Sequence, residues 1–149
     1  MKIRKATFKD LKQLAVLFNA YRVFYRKDAD VKAAEKFLKE RLNNGDSEIF
    51  VCVNDENKLL AFVQLYPLFS STKMKKLWLL NDLYVHQQFR GQGLSTMLIN
   101  RAKELVITTL ACGLFLETEK SNIIGNKLYP KTGFKLNENA NYYEWHNEK

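Results

Sequence analysis

The run DLYVHQQFRGQGLSTML, Asp82 to Leu98, joins the end of an apolar stretch to the start of an amphipathic one. Leu77 to Val85 reads as a strand, Gln88-Phe89-Arg90-Gly91-Gln92-Gly93 as a turn, and Leu94 onward as a helix. A helix that begins straight after a glycine turn leaves its first backbone N–H groups unpaired, at the end where the helix dipole favours negative charge. Gly91 and Gly93 allow positive φ and a close approach of backbone to ligand, and Arg90 adds a planar cation able to hold a phosphate from two sides. The guest such a cradle suits is a pyrophosphate.

Spacing separates this loop from others that bind phosphate. A Walker loop ends in Gly-Lys-Ser/Thr, and no Lys follows either glycine. A Rossmann turn places a third small residue three positions after its second Gly, where this chain has Thr96.

The chain has 149 residues, enough for one domain with one good core. With 46% hydrophobic and 27% charged residues it reads as globular. The N-terminal MKIRKATFKD lacks the apolar segment of a signal peptide, and no run approaches the roughly 18 apolar residues of a membrane span. A cytoplasmic protein without membrane contact is expected. Cys52 and Cys112 have no Cys or His beside them at ligand spacing, so both read as packing residues and no metal is expected. The net charge of +8 suits an anionic partner. Lys and Arg are spread along the chain, which argues against a nucleic-acid arm.

From the N-terminus, Ile3 to Ala6 reads as a strand, and Thr7-x-x-Asp10 as a capping box with Asp in place of Glu or Gln. Leu11, Leu14, Ala15, Phe18 and Tyr21 recur at helical spacing to about Tyr25. A second helix starts from the cap Asp30, carries Ala34, Phe37, Leu38 and Leu42, and stops at Asn44-Gly45. Glu48 to Val53 and Leu59 to Tyr66 form a hairpin around Asn54-Asp55-Glu56-Asn57, and Pro67 to Thr72 reads as a loop. The strand Leu77 to Val85 is nearly all apolar, as expected of burial on both faces at the centre of a sheet. Asn81-Asp82 interrupts it and marks a bulge or a site, because buried polar groups need partners. The third helix runs from Leu94 to Thr109. Leu114 to Glu119 is a strand, Asn122 to Lys131 a helix with Gly133 at its C′ position, and Phe134 to Leu136 and Tyr142 to His146 are two closing strands.

Gln88-x-x-Gly91-x-Gly93 resembles the Q/R-x-x-G-x-G/A motif of the GNAT superfamily of N-acetyltransferases. Leu116-Glu117-Thr118 followed by Asn122-x-x-Gly125-x-x-Leu128-Tyr129 and Gly133-Phe134 is similar to a second block of that family, with Gly125 where Ala is usual. The resemblance implies an α/β (α+β) GNAT fold: a central, mixed, mostly antiparallel twisted sheet of about six or seven strands with about four helices, in the order β-α-α-β-β-β-α-β-α-β-β. Tyr21-x-x-Phe24-Tyr25, Phe62-Val63-Gln64-Leu65-Tyr66 and Trp78-x-Leu80-Asn81-Asp82-Leu83-Tyr84-Val85 resemble the diamine and histone/polyamine acetyltransferase branch. Asn81 stands where polyamine enzymes tend to carry Glu, and a carboxamide cannot accept a proton.

By that resemblance the co-substrate is acetyl-coenzyme A. The backbone of Leu83, Tyr84 and Val85 would pair with its pantetheine arm. Arg90, Gly91, Gln92, Gly93, Leu94, Ser95 and Thr96 would wrap its pyrophosphate, and Asn122 would bond it from the fourth helix. Lys120, Lys127 and Lys131 are candidates for its 3′-phosphate. The acceptor would be an amine, met by Tyr21, Tyr25, Asp28, Asn81 and Glu117 and entering between the Tyr21 to Asp28 link and the Ser70-Ser71 loop. An amine of pKa about 10.4 is neutral in only about one molecule in 2,500 at pH 7, so a base is needed, with Asp82, Glu117 or a water chain as candidates. Tyr129 stands where the family's general acid stands. Full transfer from a phenol near pKa 10 to a thiolate near 8.5 is uphill by about 2 kcal/mol, so Tyr129 needs a lowered pKa or acts by hydrogen-bonding the thiolate.

Three other readings compete with a small-amine acetyltransferase: a non-catalytic acetyl-coenzyme A sensor, an enzyme acetylating a protein lysine or N-terminus, and a basic nucleic-acid binder. Tyr129 speaks against the sensor and the dispersed charge against the nucleic-acid binder. A homodimer is compatible with the sequence, which does not specify one.

Overall fold

In the computed structural model, which describes residues 1–148, the chain runs β1 (Lys2–Lys5), α1 (Leu11–Phe24), α2 (Val31–Asn44), β2 (Glu48–Val53), β3 (Leu59–Ser70), β4 (Lys75–Val85), α3 (Leu94–Thr108), β5 (Leu114–Phe115) and α4 (Ile123–Lys131). Two units divide it, the first ending at Glu117 and the second, with α4, starting at Thr118. No helix among the described residues is long and apolar enough to cross a membrane.

The first unit is built on one sheet in the order β1-β2-β3-β4-β5, antiparallel throughout except for the parallel pair β4-β5. Strand alternation sends Ile49, Val51 and Val53 to one face, where they pack with Leu14, Leu17 and Phe18 of α1 and Leu38 of α2. Phe50 points to the other face, where Arg101 of α3 lies 4.4 Å from its ring centre. Helices therefore cover both faces of the sheet. Each fully buried Leu or Phe contributes about 1.5–3 kcal/mol to holding these layers together.

The helix ends are set by local chemistry. Asp30 accepts the Ala33 N–H at 3.0 Å, which caps α2, and Gly45 ends that helix at φ +60°. Gly93 starts α3 at φ +79°.

Several expectations are corrected. The strands buried on both faces are β2 and β3, whose residues 49–53 and 59–65 are all buried, whereas β4 mixes buried with partly exposed and exposed positions. β5 flanks β4 at only two positions, Trp78↔Leu114 and Leu79↔Phe115, so β4 lies close to the edge of the sheet. The expected loop from Pro67 is instead the continuation of β3 to Ser70, paired with a β4 that starts at Lys75 rather than Leu77. Proline is tolerated there because β2 stops pairing at Leu65, so Pro67 has a ladder on one side only and needs no N–H for the other. β5 is two residues long rather than six. The sheet has five strands, because residues 134–148 are not in strands, although Tyr143 and Trp145 are of strand-forming type. Those two side chains are 84% and 88% exposed, and β-propensity without a covered face does not hold a strand.

The first turn is locked by an ion pair at the capping box. Asp10, 4% exposed, receives Arg4 at 2.7 and 2.8 Å through both carboxylate oxygens, and the Thr7 N–H at 2.8 Å. Hydrogen bonding from Arg4 holds the Asp10 carboxyl below its usual range, opposed by burial. A depressed acid stabilises the fold in full above its unfolded pKa, about 3.9, and loses that contribution as pH falls through the lower folded value. Asp10→Ala strands Arg4 and the Thr7 amide, and should cost about 2–4 kcal/mol in urea unfolding at pH 7. The gap from wild type should close as pH drops below about 4.

Candidate active site

The β3-β4 ladder slips by one residue. Gln64 faces Asp82, Leu65 faces Leu80, and Asn81 is the extra residue of a β-bulge. The bulge turns Asp82 inward, to 3% exposure, and leaves Asn81 exposed. A buried carboxylate needs partners, and two side-chain amides supply them. Gln64, itself fully buried, donates Nε2 to Asp82 Oδ2 at 2.6 Å, and Asn81 Nδ2 donates to Oδ1 at 3.0 Å. The Tyr21 hydroxyl of α1 donates to the neighbouring Asn81 main-chain carbonyl at 3.3 Å. Ser47 Oγ donates to Gln64 Oε1 at 2.9 Å and so fixes which end of the amide faces Asp82. Burial pushes the Asp82 carboxyl above its usual range, and the bonds from Gln64 and Asn81 pull the other way. Tyr66 is pushed up too, first by burial and then by the charge of Asp82.

Beyond the bulge β4 has a strand on one side only. β5 pairs it at residues 78 and 79, so among the described residues the edge of 80–85 facing away from β3 has no strand partner. That edge includes the main chain of Leu83, Tyr84 and Val85, and it leads through a 3-10 turn, Gln87–Phe89, into Arg90 and the two glycines. Gly91 and Gly93 have φ of +75° and +79°, and no atom lies within 4 Å of where a Cβ would stand on either. The α3 cap is Gly93, which has no side chain to cover the N–H groups of Leu94, Ser95 and Thr96. Arg90 Nε donates to the Val85 carbonyl at 3.1 Å and its guanidinium lies 5.6 Å from the Tyr84 ring centre, which aims the two Nη groups without using them. Open turn, uncapped helix start and cation fit a pyrophosphate, and the open main-chain edge fits an amide-bearing arm.

In the second unit, Asn122 caps α4. Its Oδ1 accepts the Gly125 N–H at 3.0 Å while Nδ2 donates to Thr118 Oγ1 at 2.9 Å. At the other end, the Gly133 N–H reaches the Pro130 carbonyl and the Phe134 N–H reaches the Tyr129 carbonyl, each at 3.1 Å. With Gly133 at φ +88° this is a Schellman close. The Phe134 ring meets the Tyr129 ring edge-on at 5.7 Å, so Gly-Phe in the second block fixes both main chain and ring of Tyr129.

Of the residues expected at the acceptor side, the structure groups Tyr21, Tyr25, Asn81 and Asp82: the Tyr21 and Tyr25 rings are 5.1 Å apart, and Tyr21 reaches Asn81. Asp28 and Glu117 are exposed and have no bond to that group. Ser70 and Ser71 lie at the hairpin tip, roughly 20 Å along β3 from Gln64 at about 3.3 Å per residue. Gln64 and Ser47 escaped the sequence reading. The signal for Gln64 was its place as the one amide in an apolar strand.

Gly125 is tighter than a small-for-small exchange suggests. A Cβ there would stand 2.6 Å from Asn122 Nδ2, so Gly125→Ala must turn the Asn122 side chain away. Alanine gains about 1 kcal/mol in a helix and a lost cap costs about 1 kcal/mol, so stability should stay within about 1 kcal/mol of wild type. The Asn122 side-chain amide should shift in NMR spectra; an unshifted resonance would show that the cap survives.

Comparison with known proteins places this geometry. A family model described as "Acetyltransferase (GNAT) family" matches residues 13–134. An uncharacterized N-acetyltransferase YhfO of Bacillus subtilis (strain 168) is 40% identical over 135 residues, which cover 91% of this chain and 90% of that protein. A probable acetyltransferase of Haemophilus influenzae is 29% identical, with 97% of each chain covered. A crystal structure of a probable acetyltransferase superposes with a TM-score of 0.95 at 35% identity, over 100% of this chain and 99% of the other. With the family match spanning most of its length, the chain belongs to the GNAT family of acetyltransferases and is an N-acetyltransferase.

Proposed function

We propose that this N-acetyltransferase uses acetyl-coenzyme A to acetylate a primary amine: a small amine, a polyamine or a lysine-like side chain. What carries the reading is continuity: the open edge of β4 runs directly into the glycine turn and the uncapped start of α3. Main-chain groups for an extended arm and N–H groups for its pyrophosphate thus lie on nearly consecutive residues.

Acetyl-coenzyme A, when bound, supplies an acetyl thioester open to direct attack by a neutral amine. Leu83, Tyr84 and Val85 align the arm, and residues 90–96 neutralise the pyrophosphate. The family resemblance adds Asn122 as a further hydrogen-bonding group and Tyr129 as the group that holds a proton for the departing sulfur. On the acceptor side, Tyr21 and Tyr25 offer aromatic faces to an alkyl chain and its cation. The first-half segments support a diamine-like acceptor, while Asn81, an amide where polyamine enzymes tend to carry Glu, favours one that does not rely on that carboxylate.

A thiol-release assay over an amine panel, beside titrations with acetyl-coenzyme A and with DNA at two salt concentrations, tests the reading. Turnover with at least one primary amine is expected. Binding without thiol release would instead make the chain a sensor, and turnover restricted to hydroxyl or anionic acceptors would discard the amine.

Gly91→Val places a β-branched residue at φ +75°. It should raise the co-substrate KM by about tenfold or more in a folded protein, because the new side chain resists that φ and fills the phosphate's approach. An unchanged KM would remove the turn from the binding site. Tyr129→Phe keeps the ring and deletes the hydroxyl, so kcat should fall roughly 10²- to 10⁴-fold, about 3–5 kcal/mol, at nearly constant co-substrate KM. A kcat within a factor of about three of wild type would leave Tyr129 a packing residue.

A further inference from the structure

In an antiparallel ladder one residue turns both its N–H and its C=O toward a neighbouring strand, and the next residue turns both to the other side. Before the bulge, residues 76 and 78 of β4 face away from β3: the Trp78 N–H reaches the Gly113 carbonyl at 3.1 Å, and the Lys76 carbonyl receives the Cys112 N–H at 2.7 Å. After the bulge this alternation is reversed. The His86 N–H points toward β3, to the Leu60 carbonyl at 2.9 Å, so Val85 and Leu83 are the residues that face outward. Arg90 Nε takes up the Val85 carbonyl at 3.1 Å, which leaves the Val85 N–H and both main-chain groups of Leu83 at the open edge. Without the slip at Asn81 those places would fall to Asp82 and Tyr84.

A chain of side-chain hydrogen bonds on β3 holds this register. Gln64 donates to Asp82 at 2.6 Å, and Ser47 Oγ, half-buried just before β2, donates to Gln64 Oε1 at 2.9 Å and so keeps the donor end of the amide toward the carboxylate. Were β4 to slip back by one residue, Asp82 would cross to the other face of the sheet and strand the buried Gln64. We propose that Gln64 and Ser47 are positioning residues for the co-substrate: they fix which main-chain groups meet its amide-bearing arm and leave its pyrophosphate site alone. The inference rests on the acetyl-coenzyme A reading. The arm lies along Leu83 and Val85 as a strand would, whereas the pyrophosphate sits on a turn whose shape Gly91 and Gly93 set locally, so a change of register weakens one half of the ligand.

The test is calorimetric titration of wild type, Gln64→Leu, Gln64→Glu, Ser47→Ala and the Ser47→Ala/Gln64→Leu double variant with two probes. One is acetyl-coenzyme A; the other is adenosine 3′-phosphate 5′-diphosphate, which keeps the pyrophosphate and lacks the arm. Gln64→Leu should weaken acetyl-coenzyme A about tenfold, as for one or two lost main-chain hydrogen bonds, and leave the nucleotide within about twofold of wild type. Ser47→Ala should lose about threefold, and the double variant no more than Gln64→Leu, because Ser47 acts through Gln64. Gln64→Glu adds a signature that a loss of stability lacks. With its proton the new carboxyl donates to Asp82 as the amide did; once both groups ionise they repel, and that ionisation lies above the ordinary carboxylate range. Around the pair stand Tyr21 of α1 and Tyr66 of β3, the latter feeling Arg41 of α2 and Asp46. Acetyl-coenzyme A affinity should match wild type at acid pH and fall about tenfold as pH rises through that ionisation, while the nucleotide follows wild type throughout. Should Gln64→Leu fail to fold, Ser47→Ala and Gln64→Glu still decide the matter. Full acetyl-coenzyme A affinity in Gln64→Leu, equal losses with both probes, or a Gln64→Glu profile parallel to wild type would overturn the positioning role alone. Wild type that binds the nucleotide as tightly as acetyl-coenzyme A, or binds neither, would overturn the underlying reading and the role with it.

Discussion

Gln64 meets Asp82 across the β3-β4 ladder at 2.6 Å, and the surroundings of that pair follow from the need to keep it satisfied. An unpartnered buried carboxylate would cost several kcal/mol, so the strand can turn Asp82 inward only where an amide waits opposite. Gln64 can wait there because Ser47 holds its other end. The extra residue at Asn81 sets this register and shifts the phase of the strand beyond it, since a slip of one residue exchanges the faces of every following side chain. Bulge and buried pair are thus one device: the kink in β4 and the polar spot in the core require each other.

Much of this was legible because the deciding chemistry is local. Asp30 and Gly45 bound α2, Gly93 opens α3, and Gly133 closes α4, each through contacts within a few residues. Polar Asn81-Asp82 within an apolar run pointed to a bulge or a site before any register was known, because buried polar groups need partners.

What stayed hidden depends on pairing at a distance. Pro67 reads as a strand breaker, and only the early end of β2 at Leu65 makes it harmless. The strength of β5 cannot be read from Leu114 and Phe115, since it depends on how far β4 offers it an edge. Gln64 looked like one polar residue in a strand until its partner was known to be Asp82. Arg4 gave no sign that it would close on Asp10 from the neighbouring strand, although the capping box itself was plain.

The short contact between β4 and β5 leaves an edge whose occupancy bears on folding. The edge of residues 80–85 facing away from β3, without a strand partner among the described residues, is a template for any extended peptide, its own unfolded copies included. An occupant that binds this edge in the folded protein alone adds RT ln(1 + [L]/Kd) to its stability, about 2.7 kcal/mol at a hundredfold excess over Kd. That is a sizeable share of the roughly 5–15 kcal/mol that holds an ordinary domain together. Were that occupant the donor proposed above, the protein's lifetime would follow donor supply, with the same edge left open to aggregation when the donor is scarce.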